Sequence, residues 1–318
     1  MMPEPAVSVV ISARNAEATL ARALTCLSAQ ETGFDYEVVV VDNASTDATA
    51  AIAEAMGPPV RPIRLGGDGA TPVASRNRGV AESRGRLLAF TDADCYPTAG
   101  WLAAGVAALG EADLVQGRVL PDPAAVMGPF DRSLFVTRDA GLWETANLFM
   151  TRELFDRAGG FEDWLVLPDG RPMGEDVWLG WRAKRLGARS AFCAGALTHH
   201  AVFPRGGRAF VAEYRRRGAF PEIVARVPEL RETFLHRRGF LDARSAAFDA
   251  ALVGAVGALV TRRAWPAAAA LPYLRTLAAR SVLHRGNRAR VAAADVAADA
   301  VGAWALARGS AAARSLVL

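Results

Sequence analysis

The sequence predicts an α/β fold: a mostly parallel sheet covered by helices, with an α-helical appendage at its carboxyl end. Three observations carry this expectation. Val7 to Ile11 and Glu37 to Val41 are short, continuous β-branched runs, the pattern of strands covered on both faces. Each leads into a turn-rich loop and then a stretch of helical spacing, and this order repeats at least four times. Beyond Leu241 the chain becomes alanine-rich and helical throughout.

The first strand, Val7 to Ile11, runs into Ser12-Ala13-Arg14-Asn15, and the apolar stripe Leu20, Ala23, Leu24, Leu27 predicts a helix over Ala18 to Ala29. Glu37 to Val41 stops at Asp42-Asn43-Ala44-Ser45-Thr46-Asp47, residues that favour turns and caps, so a helix from Ala48 to Met56 follows. Val60 to Leu65 is a third strand, trailed by the glycine-rich Gly66-Gly67-Asp68-Gly69, and Pro72 to Ser83 a third helix. Leu87 to Thr91 then leads straight into Asp92-Ala93-Asp94. Right-handed crossovers place all these loops on the carboxyl edge of the sheet, where open α/β folds bind ligands. Two acids at that edge either cap the next helix or offer oxygen ligands to Mg²⁺ or Mn²⁺.

Downstream, the pattern predicts a helix over Thr98 to Leu109 and a strand over Leu114 to Val119. Asn147 to Met150 reads as an edge strand, Arg152 to Ala158 as a short helix, and Phe161 to Met173 as a loop. Gly174-Glu175-Asp176 opens a helix closed at Gly187, with acids in its first turn and bases in its last, as the helix dipole favours. Ala191 to Leu197 is a final strand, ending at His199-His200. Arg208 to Arg217 is a basic helix, and the mostly apolar run Ala246 to Val260 is 15 residues long, short of the roughly 20 that span a bilayer.

Charge is unevenly distributed. Residues 1–200 carry 18 Lys+Arg and 25 Asp+Glu; residues 201–318 carry 19 and 8. An acidic front half does not suit a nucleic-acid binder, whereas the basic tail suits phosphates or an anionic membrane surface. Arg215-Arg216-Arg217, Arg237-Arg238 and Arg262-Arg263 flank its apolar helices, which are either a cap on the α/β domain or a set of membrane-surface helices. Cys26, Cys95 and Cys193 are odd in number and far apart, against both a disulfide framework and a zinc cluster. Without a basic leader or a long apolar segment at the start, the expected location is cytoplasmic, with peripheral contact at the inner face of the membrane and a homodimer both left open.

Five blocks together resemble family 2 glycosyltransferases of the GT-A fold. They are VSVVISARNAEATL, VVVDNASTDAT, ASRNRGVAESRGRLLAFTDADCYP, TANLFMTRELFDRAGGFED and GEDVWLGWRAKRLG, which fall in family order between about residues 7 and 200. The resemblance implies a catalytic domain over residues 1–204, with a donor-binding half to about 97 and an acceptor half over 98–204, followed by the basic helical region 205–318. It implies that Ala13, Asn15, Asp42 and Arg76 surround the nucleotide. Asp92-Ala93-Asp94 matches the family's D-x-D, with Asp92 placing the donor and Asp94, with Asp92 as a further candidate, binding Mn²⁺ or Mg²⁺.

Glu175-Asp176 matches the E-D pair whose aspartate deprotonates the acceptor. His199 or His200 falls where a metal-completing histidine is common. Asn147 and Trp143 lie in the block that lines the acceptor side, though Trp143 equally suits core packing. The expected reaction is an inverting, metal-dependent transfer of one sugar from a UDP- or GDP-sugar to an acceptor hydroxyl, which a lipid could carry, in cell-envelope polysaccharide or glycolipid synthesis. A helix N-terminus should keep Asp176 ionised.

Ser12 stands where the family commonly has proline, Arg14 where an aromatic is frequent, and the Q-x-x-R-W element of processive synthases is missing. A nucleotidyltransferase would carry a glycine-rich first loop, and a degenerate scaffold subunit would have lost the D-x-D or the base.

Overall fold

The valine runs form the centre of an eight-stranded sheet in the computed structural model, which describes residues 4–66, 71–283 and 287–318; in spatial order its strands are Val60–Leu65 (β3), Tyr36–Asn43 (β2), Val7–Ala13 (β1), Leu87–Phe90 (β4), Leu148–Thr151 (β7), Leu114–Pro121 (β6), Ser190–His200 (β8) and Cys95–Pro97 (β5). Of the predicted glycine-rich segment, Gly67 to Gly69 lies outside the described residues. β1 (Val7–Ala13) pairs in parallel with β2 (Tyr36–Asn43) and β4 (Leu87–Phe90), and β2 with β3 (Val60–Leu65). Alternation along β1 sends Val9 and Ile11 into one core with Leu20, Leu24 and Leu27 of α1 (Leu20–Ser28). Val10 enters the other, with Val73 and Val80 of α3 (Pro72–Glu82). Both faces are therefore covered, as a continuous apolar strand requires. α2 (Thr49–Ala55) connects β2 to β3.

The acceptor-side half departs from the expected pattern. Residues Cys95–Pro97 form β5, a short strand antiparallel to β8 (Ser190–His200), so the acids before it do not cap a helix. The next helix, α4 (Trp101–Ala108), starts later and has no side-chain cap. β7 (Leu148–Thr151) is not an edge strand: it lies antiparallel between β4 and β6 (Leu114–Pro121). Its side chains explain this, since Leu148, Phe149 and Met150 are buried in succession, leaving no solvent face. β6 pairs in parallel with β8 across a register shift at Gly117/Arg118. α5 (Arg152–Ala158) and α6 (Glu175–Arg185) complete the layer.

The chain divides into two compact units, Met1–Val126 with Ser133–Val202, and Met127–Arg132 with Phe203–Leu318. The sheet belongs to the first. The second is helical: α7 (Gly207–Glu213), α8 (Phe220–Arg226), α9 (Leu230–Thr233), α10 (Ala243–Thr261), α11 (Leu271–Leu283) and α12 (Arg288–Ala313). Phe130, Phe210, Val291 and Ala298 form its core. Arg244 holds Asp299 at 2.7 Å and Asp295 at 3.2 Å, and Arg280 holds Asp295 at 2.9 Å, neutralising two buried acids of α12. α10 is 19 residues long, longer than the apolar run seen in the sequence, and is by length and composition able to cross a membrane.

Candidate active site

Backbone direction brings four segments to the carboxyl edge of β1, β2 and β4. Ala13 ends β1, opposite Asp42 on β2. Asn15, left-handed at φ 49°, accepts from the Thr46 amide at 2.9 Å, while its own amide donates to Ser45 Oγ at 3.0 Å. These bonds tie the first two loops together. Asp42 accepts from the Ser45 amide at 3.3 Å, and the buried amide side chain of neighbouring Asn43 has no hydrogen-bond partner.

Arg76, buried on α3, bridges the site. It donates to Asp92 Oδ1 at 3.2 Å and to Glu175 Oε1 at 3.0 Å. Burial opposes its charge, but Asp92, Glu175 and Asp176 outweigh that cost and the guanidinium is held more firmly protonated than usual.

Ligand atoms of Asp92, Asp94 and Cys95 lie within 4.8 Å of one another. The Cys95 thiol is buried, and desolvation first, then the two nearby carboxylates, pushes its pKa well up; it remains a thiol. A soft, protonated sulfur does not suit a hard cation, so the carboxylates are the fitting oxygen donors. β5–β8 pairing sets Cys95 opposite His200, and His200 Nε2 comes to 3.5 Å from Asp94 Oδ2. Its Nδ1 is 2.7 Å from the Ala201 carbonyl, which can only accept, so Nδ1 donates there and Nε2 is the nitrogen turned toward Asp94. His199 is opposite Tyr96 and, one residue along the strand, points to the other face.

On the far side of Arg76, Glu175 and Asp176 form the first turn of α6. The dipole does not hold the pKa of Asp176 down, contrary to expectation. Desolvation, then Glu175 and Glu144, drives its pKa well above the ordinary carboxylate range; the Val177 amide and Arg76 only partly oppose this. Glu144 itself is pushed up to about 7, chiefly by burial and further by Asp139.

Residues 8–159 match the profile of the family described as Glycosyl transferase family 2. The chain carries a family 2 glycosyltransferase domain. Glycosyltransferase AglE of Haloferax volcanii is 29% identical over 215 residues, 64% of this chain and 69% of its own length. The succinoglycan biosynthesis protein ExoO of Rhizobium meliloti is 43% identical over 91 residues, so this chain spans only 26% of that relative. Mannosyltransferase PcManGT from Pyrobaculum calidifontis, solved with GDP-Man and Mn2+, shares the fold at a TM-score of 0.58 and 19% identity, over 95% of this chain and 88% of that one. TarS 1-349 of S. aureus, solved with UDP-GlcNAc, does so at 0.52 and 17%, over 97% and 92%. The glycosyltransferase fold is therefore GT-A.

Two residues expected on the acceptor side of the glycosyltransferase are instead structural. Asn147 is fully buried: its Nδ2 donates to the Arg118 and Ala196 carbonyls at 2.8 Å, and its Oδ1 accepts from Trp101 Nε1 at 2.8 Å. With its amide spent, it has nothing to offer a sugar. Trp143 is 2% exposed, with a left-handed backbone (φ 57°), and packs so closely on α6 that a Cβ on Gly180 would stand 2.0 Å from its ring. It cannot stack on a sugar face. The contact instead sets the loop carrying Glu144 beside α6, a placement that nothing in the sequence marks; Glu144 lies inside the W-E-T-A-N stretch without a motif of its own.

Proposed function

We propose that this glycosyltransferase moves one sugar, with inversion, from a UDP- or GDP-sugar to an acceptor hydroxyl, using a divalent cation held by Asp94 and His200, with Asp92, and Asp176 as the base. The observation that carries the reading is the Arg76 bridge. One buried guanidinium joins the D-x-D to Glu175, next to Asp176, so the two halves of the site are built on a single contact. Donor contacts come from residues 1–97, with Ala13, Asn15, Asp42 and Ala93 lining the nucleotide side, and the base comes from residues 98–204. The donor classes are supported by the ligands of the two structural neighbours, and a polysaccharide product by the succinoglycan biosynthesis relative.

Bound Mn²⁺ or Mg²⁺ supplies charge neutralisation for the departing nucleoside diphosphate. The protein does the rest. Arg76 holds Asp92 in place and keeps a positive charge beside the base. Asp176, once ionised, takes the proton from the acceptor hydroxyl as that oxygen bonds to the anomeric carbon and the bond to the diphosphate breaks. Burial makes the carboxylate a stronger base than one in water, at the cost of a smaller ionised fraction at low pH.

A panel of UDP-, GDP- and dTDP-sugars, assayed for nucleoside diphosphate release with Mn²⁺ or Mg²⁺, tests this directly. One donor should turn over, chelator should stop it, and the product should carry the inverted anomeric configuration by NMR. A retained configuration would remove the single-displacement mechanism.

A further inference from the structure

α10 and the 3₁₀ turn Trp265–Ala270 pack on each other through their smallest residues. A Cβ on Gly254 would stand 2.5 Å from the Pro266 carbonyl oxygen and 2.9 Å from Ala269 Cβ, and one on Gly257 would lie 3.3 Å from Pro266 Cβ. The large apolar side chains point away from this contact. Leu252, Val253, Val256, Leu259 and Val260 recur at helical spacing as one stripe, and all are exposed, Val253 to 72% and Leu259 to 79%. Trp265, just past the helix end, is 71% exposed, and Leu271 and Leu274 of α11 add further exposed apolar surface.

A hairpin in water turns its large apolar side chains inward. This one does the reverse, which is the arrangement of helices in lipid, where close contact through small residues drives packing and apolar side chains lose nothing by facing out. Charge points the same way. From Asp249 to Asp295 the sequence has no intervening acidic residue and seven arginines. Arg280 is engaged with Asp295, while Arg262 and Arg263, exposed at the end of the stripe, and Arg275 face solvent.

The helix is not free to cross a bilayer. Its first turns are fixed by the Asp242–Ser245 capping box, by Arg244 on Asp299 and by Phe248 edge-on to Tyr273 at 5.2 Å. The remainder, Asp249 to Thr261, rises roughly 20 Å at the helical pitch, against about 30 Å of hydrocarbon. An upright insertion would also sink two arginines toward the bilayer centre.

We propose that the α10 stripe and Trp265 dock in the plane of an anionic lipid surface, with the apolar side chains at the acyl boundary and Arg262 and Arg263 on the lipid phosphates. This does not rest on the catalytic reading, and its test reads lipid binding rather than turnover.

The full chain is sedimented with vesicles of phosphatidylcholine, with or without phosphatidylglycerol, in low and high salt. Binding to the anionic vesicles should be about tenfold tighter than to the neutral ones at low salt. Arg262→Glu with Arg263→Glu should erase that preference. Val256→Glu with Leu259→Glu should abolish binding to both, with an unchanged thermal melt because both positions are exposed. Wild-type protein left in the supernatant with anionic vesicles would overturn the proposal, as would unchanged binding of the Val256/Leu259 variant. A lipid-free dimer that this variant dissociates, with no vesicle binding, would assign the stripe to a second copy of the chain and overturn it equally.

Discussion

In the proposed role of base, Asp176 has to be ionised to accept a proton from a hydroxyl, and its surroundings raise its pKa. Burial, Glu175 and Glu144 all act in the same direction, so transfer should fall away with acid at a pH above the usual carboxylate range. Glu144→Gln removes one like charge, and the acid limb of the kcat/KM profile should move to lower pH. The same substitution has a stability signature of known sign. Glu144 has a folded-state pKa of about 7 against an ordinary 4.5, so the folded protein binds its proton more tightly than the unfolded chain. Stability therefore falls as pH rises from 4.5 to 7 and stays reduced above. Urea denaturation at pH 8 should find Glu144→Gln more stable by about 1 to 3 kcal/mol, with the gain vanishing near pH 4.5. Asp176 was legible in the sequence as a position, because an E-D pair opening a helix is local. Its raised pKa was not, since that comes first from burial, which only the fold creates, and in part from Glu144, more than thirty residues away.

Strands of the donor half were readable for a physical reason: β1, β2 and β4 are buried on both faces and flanked by turn residues, so composition alone marks them. β5 is three residues long, and only its pairing with β8 defines it. β7 looked like an edge because it is short, whereas its place between β4 and β6 follows from sheet order, which no local pattern encodes. Asn147 shows the consequence. Its amide closes the β6 register shift at Gly117/Arg118, where a Cβ on Gly117 would stand 2.2 Å from Asn147 Oδ1, and it also holds Trp101 and β8. Asn147→Ala should cost about 3 to 5 kcal/mol in chemical denaturation, since it strands three buried partners. If the residue instead served the acceptor, the acceptor KM would rise while stability held.

The whole chain combines a GT-A unit with a helical unit, and the basic excess lies in residues 201–318. The sequence alone does not say which of those charges are paired. Arg217, Arg244 and Arg280 pair with acids inside the helical unit, whereas Arg262 and Arg263 stay exposed beside an apolar stripe. The resemblance also left the two histidines undivided, and strand alternation now separates them, with His200 at Asp94 and His199 on the opposite face. The second unit includes Met127–Arg132, which no boundary at residue 204 would place there.

The proposed metal and donor half at Asp94, joined through Arg76 to a base at Asp176, separates donor binding from transfer when the two are measured in parallel with Mn²⁺ present. Asp94→Ala should lose both metal-dependent donor binding and transfer. Asp176→Asn should bind the donor as wild type does yet transfer about 10² to 10⁴ times more slowly. An Asp176→Asn enzyme that turns over at the wild-type rate would rule out Asp176 as the base.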